Sequence, residues 1–422
     1  MTTLSRQHTV IAGLGIGVLA LHVLDDSFIQ PQPGTSAGDH LAGGLVPLAL
    51  IALAAVLYPR VRAGARGTLA ILLGLLALIM GTAEAGYYTL KVGPSGDDYT
   101  GLLTIPAGLV LVGLGGWTLW KTRKLDDSRV RRYVRRALIA AAPLVVAWSV
   151  MFPIALGYGT THILRPIVPA ENLGAAHEDV TFKTSDGLEL SGWYIPSRNG
   201  AAVIVYPGRS GSQKPARVLA RHGYGVLLFD RRGEGESDGD GNLFGWGGDK
   251  DIIAAAKFLK SRPDVDPERI GGVGLSVGAE LMLQTAAETD DLAAVVSEGA
   301  GTRWFAEEMD EFHGVNKWLG VPMLAMKTAS VAVFSNTAPP PKLTDLAPRI
   351  HEPLFVIYAS DGGVETMSPK YYRLAQGPKT IWGIPGVEHM GGFDAHPKEY
   401  ERRVVGFFDR ALSGSAAGEG LR

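Results

Sequence analysis

Gly274-Leu275-Ser276-Val277-Gly278 stands where an apolar run, 269–275, meets a helix-compatible run, 277–287. A serine at such a join is held on a sharp turn, its hydroxyl presented above the strand end. Glycine on either side relieves the backbone crowding that the turn creates. The start of the following helix adds a dipole that favours developing negative charge. In a chain with 55 glycines the pattern alone is weak. The strand–turn–helix setting is what makes it an expected nucleophile elbow rather than a structural glycine turn.

Outward from the elbow, short apolar runs alternate with helix-compatible ones. Runs 180–184 and 188–194 flank Ser185-Asp186-Gly187, a hairpin signal, and 202–206 and 225–229 enclose a helix-compatible 213–222. Helix 249–261 precedes the elbow; strands 293–297, 354–358 and 379–383 and helix 397–412 follow it. This order predicts a mostly parallel, doubly wound α/β sheet covered on both faces, made mixed by the opening hairpin.

Residues 178–412 resemble the α/β-hydrolase superfamily, in the branch that holds dienelactone-hydrolase-like and prolyl-oligopeptidase-like proteins. Tyr206-Pro207-Gly208-Arg209 stands where that family has its His-Gly-x oxyanion loop, with Tyr206 as the departure. Asp230-Arg231-Arg232-Gly233-Glu234-Gly235-Glu236-Ser237 resembles the superfamily's Asp-x-Arg-Gly-x-Gly-x-Ser turn, which is structural. The resemblance implies that Asp361, after strand 354–358, is the acid and that His389, in Gly386-Val387-Glu388-His389, is the base. Glu365, a further turn along, is the competing carboxylate. The order Ser276, Asp361, His389 is the one the fold uses.

Those roles carry a definite chemistry. Neutral imidazole takes the serine proton and returns it, and a carboxylate on the far ring nitrogen fixes the tautomer. The implied oxyanion donors are the backbone N–H groups of Arg209 and Val277, each worth about 100- to 1000-fold in rate. The expected activity is cleavage of an ester, ahead of an amide, through an acyl-enzyme. An acyltransferase with the same triad and a non-catalytic membrane scaffold are the alternatives.

Residues 301–348 are an insertion holding Trp304, Phe305, Phe312, Trp318, Met323 and Met326, then Pro339-Pro340-Pro341. In the superfamily this position carries a cap that shapes the acyl pocket. Its aromatic and methionine content suits an apolar or lipid-like acyl substrate and equally suits the small core a cap needs. Residues 413–422 read as a small, polar, disordered tail.

Residues 1–160 are of another kind. Five apolar stretches, 9–24, 41–58, 68–90, 102–120 and 137–158, are separated by short polar spacers. About 20 apolar residues cross a bilayer, so a bundle of about five spans is predicted, joined by a linker, 161–177, to the α/β domain. The first stretch looks like a signal peptide, but no small-residue cleavage site follows it. Spacer 59–67 carries Arg60, Arg62 and Arg66, and spacer 121–136 is densely basic. The alternate spacers are acidic, with Asp25, Asp26 and Asp39 in one and Asp97 and Asp98 beside Lys91 in the other. Basic loops stay cytoplasmic, so the N-terminus is expected inside and the hydrolase domain outside. Gly13, Gly15 and Gly17 lie within a span and read as helix packing rather than a dinucleotide fingerprint.

His22, Asp25, Asp26, Asp39, His40 and Glu84 fall at the outer ends of spans. Ionisable groups at that depth are functional candidates; interfacial solvation is the plainer reading, and no tight ligand spacing marks a metal site. With no cysteine, disulfides, a thiol nucleophile and thiolate-bound zinc are excluded. A net charge of −2 gives no reason to expect a nucleic-acid partner. No metal and no cofactor is expected; the expected partners are an acyl substrate and membrane lipid.

Overall fold

Gly67, Gly74 and Gly81 recur every seven residues, as do Gly101, Gly108 and Gly115. That spacing keeps each set on one helix face. In the computed structural model the two helices carrying them run antiparallel along these glycines. A Cβ at Gly74 would stand 2.7 Å from the Gly108 carbonyl oxygen, and one at Gly115 would stand 2.5 Å from that of Gly67. Gly81 meets Gly101 likewise, at 3.1 Å. Close backbone approach through small residues is how helices associate where lipid removes the hydrophobic drive.

The structure describes the chain apart from residues 1–2, 87–88, 91–92, 95, 123–133, 136–137, 139–140, 142–144, 164, 304–306, 308–313 and 414–422. It divides into two compact units, Met1–His162 with Gly314–Thr337, and Ile163–His313 with Ala338–Arg422.

The helical unit begins with α1 (Thr3–Leu24), extended by a wide turn Asp25–Ile29, then α2 (Leu41–Leu57) and α3 (Ala63–Ile79), extended by Met80–Gly86. Next come α4 (Asp98–Lys121) and α5 (Phe152–Thr161). Three segments, Arg6–Ile29, Ala63–Thr82 and Asp98–Lys121, are long and apolar enough to cross a membrane. Leu41–Leu57, at 17 residues, is shorter, and residues 137, 139–140 and 142–144 of stretch 137–158 lie outside the described residues. Ala12, Ile16, Leu19, Ala77 and Leu111 fill the interior, while Leu14, Leu50, Leu109 and Trp117 are exposed. Of the three glycines in α1, only Gly15 is a packing position: a Cβ there would meet Leu111 at 2.9 Å.

In the second unit, β1 (Glu178–Lys183) and β2 (Glu189–Ile195) form the expected hairpin, Lys183 opposite Glu189. There follow β3 (Ala202–Tyr206), α6 (Lys214–Arg221), β4 (Gly225–Phe229), α7 (Gly248–Lys260), β5 (Ile270–Leu275), α8 (Val277–Glu288) and β6 (Ala294–Glu298). After the insertion come β7 (Leu354–Ala359), α10 (Ser368–Leu374), β8 (Lys379–Ile384) and α11 (Pro397–Ala411). The strand order is β1-β2-β4-β3-β5-β6-β7-β8, parallel from β4 to β8.

Strands β3 to β6 are buried along their whole length, as parallel strands covered on both faces must be. Alternation divides their side chains. Ile204, Leu227 and Val295 pack with Ile252 of α7 and Leu281 of α8. Val203, Val205 and Val273 pack with Leu219 of α6 and Phe408 of α11.

The insertion departs from expectation. Its helix α9 (Val315–Phe334) belongs to the helical unit, packed on α5 and α2, rather than forming a cap with its own core. Gly157 of α5 permits the contact, since a Cβ there would stand 2.4 Å from Ser330 Cβ. The physical reason is composition: Gly320–Phe334 is an apolar helix, and its place is among apolar helices. Trp304, Phe305 and Phe312 lie outside the described residues, as does the tail 414–422.

Candidate active site

Ser276 follows the last residue of β5 and has φ 53° and ψ −120°, a left-handed conformation that a side chain rarely adopts. Its N–H donates to the Glu298 carbonyl at 2.9 Å, and its carbonyl accepts from Ala279 N–H at 2.8 Å. The flanking glycines are obligatory. A Cβ at Gly274 would stand 2.2 Å from the Gly278 oxygen, and one at Gly278 would stand 2.4 Å from the Tyr206 oxygen. The second approach brings the start of α8, with Val277, against the turn after β3 that carries Arg209 on Gly208–Ser210.

Arg209 is held firmly. Its buried guanidinium pairs with Asp230 and, at 3.0 Å, with Glu236. Asp230 in turn accepts the Glu236 N–H at 3.0 Å, and its carbonyl accepts from Ser237 Oγ at 2.7 Å. A Cβ at Gly235 would collide with the Asp230 carboxylate at 2.0 Å. The Asp-Arg-Arg-Gly turn therefore braces the loop that bears the Arg209 backbone.

His389 sits in the loop after β8. Its Nε2 lies 2.8 Å from Ser276 Oγ, and its Nδ1 lies 2.5 Å from Glu365 Oε1. The carboxylate beside the imidazole is thus Glu365 and not Asp361, a correction to the sequence reading. Asp361 is exposed and accepts the Gly386 N–H at 2.7 Å, steadying the base of the histidine loop. Gly362 and Gly363, at φ 101° and 85°, turn the chain back on itself after β7. Glu365 is thereby folded over the strand end, where its other oxygen accepts the Ala359 N–H at 2.6 Å. That glycine pair is visible in the sequence, but where it returns the chain is set by the fold.

Glu365 is 1% exposed. Burial pushes its carboxyl up, but the bond from His389 and the N–H groups of Ala359 and Met390 outweigh it, holding the group below its usual range. It is an ionised partner for the imidazole.

Two further buried acids escaped the sequence reading. Glu298, at the end of β6, accepts the Tyr400 hydroxyl at 2.7 Å, and burial pushes it up to about 7. Glu280, one helical turn beyond Ser276, accepts the Gly301 N–H at 3.2 Å and is likewise pushed up to about 7 by burial. Arg303 is buried beside it, its Nε 4.0 Å from Glu280 Oε2. Nothing in the sequence distinguishes these acids from surface glutamates, since both follow ordinary apolar runs.

The outer polar set lies in the helical unit, where Asp26 and His40 line one cavity and the other described members make local contacts. Thr100 Oγ1 donates to Asp25 Oδ2 at 2.7 Å and lies 3.3 Å from His22 Nδ1. Asp26 faces His162 at 3.6 Å. Asp39 accepts the Ser36 N–H at 2.8 Å, and His40 meets Thr35 at 2.9 Å. The Glu84 side chain lies outside the described residues. No His, Asp or Glu cluster arranged to hold a metal occurs among the described residues.

Comparison with known proteins places this geometry in context. The family described as X-Pro dipeptidyl-peptidase (S15 family) matches residues 166–366. The Mycobacterium tuberculosis protein Rv2307c is 30% identical over 267 residues, 60% of this chain and 85% of that one. The polyketide transferase ATR5 of Stachybotrys chlorohalonatus is 38% identical over 138 residues, 30% of this chain and 45% of its own. The esterase Pf2001 of Pyrococcus furiosus superposes with a TM-score of 0.47 at 24% identity, over 60% of this chain and 99% of that one. The chain shares a family with Rv2307c and belongs to the α/β-hydrolase superfamily, carrying an S15-like hydrolase domain and an N-terminal set of apolar helices long enough to span a membrane.

Proposed function

We propose that this chain is a membrane-embedded serine hydrolase that cleaves an acyl ester through Ser276, His389 and Glu365. The observation that carries the reading is the alignment Ser276 Oγ–His389 Nε2–Glu365, at 2.8 and 2.5 Å, on a strained elbow. In this mechanism Ser276 Oγ attacks the acyl carbonyl while its proton passes to His389 Nε2. Glu365 stabilises the resulting imidazolium without taking a proton. The N–H groups of Val277 and Arg209 hold the oxyanion. Collapse breaks the bond to the leaving alkoxide, which leaves as the alcohol with the His389 proton. Water, deprotonated by His389, then attacks the acyl-enzyme and releases the acid.

The substrate we infer is apolar or lipid-like, in keeping with a chain whose helices expose Leu14, Leu50, Leu109 and Trp117. The S15 match favours an amide as second reading, and the likeness to a polyketide transferase favours acyl transfer to an acceptor other than water. For orientation, basic spacers 59–67 and 121–136 belong on the cytoplasmic side, which puts the hydrolase unit on the other. Labelling of membranes with a fluorophosphonate probe tests the reading: Ser276→Ala abolishes it, and equal labelling of both proteins refutes it. Acyl, amide and thioester substrates of graded chain length then decide the bond. Protease added to spheroplasts should release a soluble fragment beginning near Arg165; protection until permeabilisation refutes the orientation.

A further inference from the structure

The helical unit contains a cavity of about 330 Å³ that the proposed chemistry leaves unused. Its polar groups lie at one end. His40 precedes the first residue of α2, Asp26 and Ser27 extend the far end of α1, and His162 follows the last residue of α5. Ser27 Oγ lies 3.4 Å from Asp26 Oδ2, and His162 Nε2 lies 3.6 Å from the same oxygen. Toward the other end the lining is apolar, with Leu73, Leu76 and Met326 among its residues, and it opens at the exposed Leu50.

Dimensions name the occupant. Along α2 the lining runs from His40 to Ile51, about 16 Å at 1.5 Å per residue. The hydrocarbon core of a bilayer is about 30 Å thick, so the cavity has the length of one leaflet and hence of one lipid chain. Its volume is near the lower limit of small-molecule sites, about 300 Å³, which suits one chain better than two. The head is constrained by charge. A carboxylate ligand would meet the Asp26 carboxylate, whereas a hydroxyl can donate to it beside the Ser27 and His162 contacts that its Oδ2 already makes. Ionisable side chains at the depth of a span are costly, and a ligand's polar head gives them a function.

We propose that this cavity binds a single-chain acyl lipid with an uncharged, hydroxyl-bearing head, of the monoacylglycerol class, its chain beside Leu73 and Met326 and its head at Asp26, His40 and His162. The proposal rests on the membrane reading above and is independent of Ser276 chemistry.

The test uses the full chain with Ser276→Ala, so that no ligand is turned over, in lipid nanodiscs. A monoacylglycerol bearing a diazirine at mid-chain is photolysed and the labelled peptides are mapped. Saturable labelling within α2, α5 and α9 is expected, displaced by unlabelled monoacylglycerol and at least tenfold less by the corresponding fatty acid or by diacyl phosphatidylcholine. Ala155→Phe with Ala329→Phe, which fill the cavity, should lower labelling at least tenfold, and Asp26→Asn should weaken displacement several-fold. Label spread over the outward faces at Leu14, Leu109 and Trp117, unsaturable and indifferent to these changes, means annular lipid only and overturns the proposal. Equal displacement by the fatty acid overturns the head assignment. An alkaline carbonate wash separates the two failures. A chain released by it defeats the membrane reading and this proposal together, whereas a chain that stays in the membrane but takes no specific label defeats this proposal alone.

Discussion

Glu365 Oε1 lies 2.5 Å from His389 Nδ1 and also accepts the Met390 N–H at 3.0 Å, so one carboxylate both orients the imidazole and holds its loop. Replacing it with glutamine keeps the shape but allows the wrong tautomer, a change worth about 10⁴-fold in kcat in serine triads. Glu365→Gln should therefore lose about four orders of magnitude with KM little altered. Asp361→Asn, which retains an acceptor for Gly386 N–H, should keep most activity. Steady-state kinetics on an acyl ester decide between them, and the reverse ranking would restore Asp361 as the acid.

The elbow stores strain that the serine does not need for folding. A non-glycine residue held at φ 53° costs about 1–3 kcal/mol. Ser276→Gly removes the Cβ and should raise the denaturation midpoint while abolishing activity. Ser276→Ala keeps the Cβ and should abolish activity without that gain. Equal midpoints for the two variants would show that the turn is relaxed.

Burial holds the Glu298 and Glu280 carboxyls at about 7, against 4.5 for an unperturbed glutamate. Below the lower value both folded and unfolded chains are protonated. Between the two, the unfolded chain has released protons that the folded chain retains, so stability falls as pH rises; above about 7 the loss is complete. Glu365, held below its usual range, acts oppositely, contributing stability that is lost only as pH falls through its lowered value. Glu298→Gln still accepts the Tyr400 hydroxyl and no longer titrates. Denaturation series from pH 5 to 8 should show a smaller fall for this variant than for wild type. Identical slopes would mean that Glu298 is ionised throughout.

The glycine seam of α3 and α4 makes a sharp contrast available. A Cβ at Gly74 would press on the Gly108 oxygen at 2.7 Å, whereas one at Gly113 meets nothing within 4 Å. Gly74→Ala should lower the thermal midpoint of the detergent-solubilised protein. Gly113→Ala, which gains about 1 kcal/mol of helix propensity, should raise it or leave it unchanged. Comparable losses at both positions would remove the seam as the packing device.

Which features of this protein are local and which are not separates what could be read early from what could not. Gly274 encodes part of its own turn, because a Cβ there would meet the Gly278 backbone four residues on, whereas the clash that forbids one at Gly278 comes from the distant Tyr206 oxygen. The strand and helix alternation was legible for a similar reason, each element carrying its own apolar period. The choice of Glu365 over Asp361 was not, because it depends on where Gly362-Gly363 returns the chain and on N–H groups donated by Ala359 and Met390. The heptad glycines of α3 and α4 were visible, yet their meaning required an antiparallel partner to pair Gly74 with Gly108.

By itself, the sequence determined the strand–turn–helix join at Ser276, the parallel sheet with its opening hairpin and the apolar character of the first 160 residues, chiefly through short-range sterics and hydrophobic period. Only the tertiary structure decided which acid faces His389, that Glu298 and Glu280 are buried, and that helix Val315–Phe334 joins the helical unit. Those outcomes turn on contacts between residues distant in the chain, where burial and hydrogen-bond partners are set by the packing of whole elements.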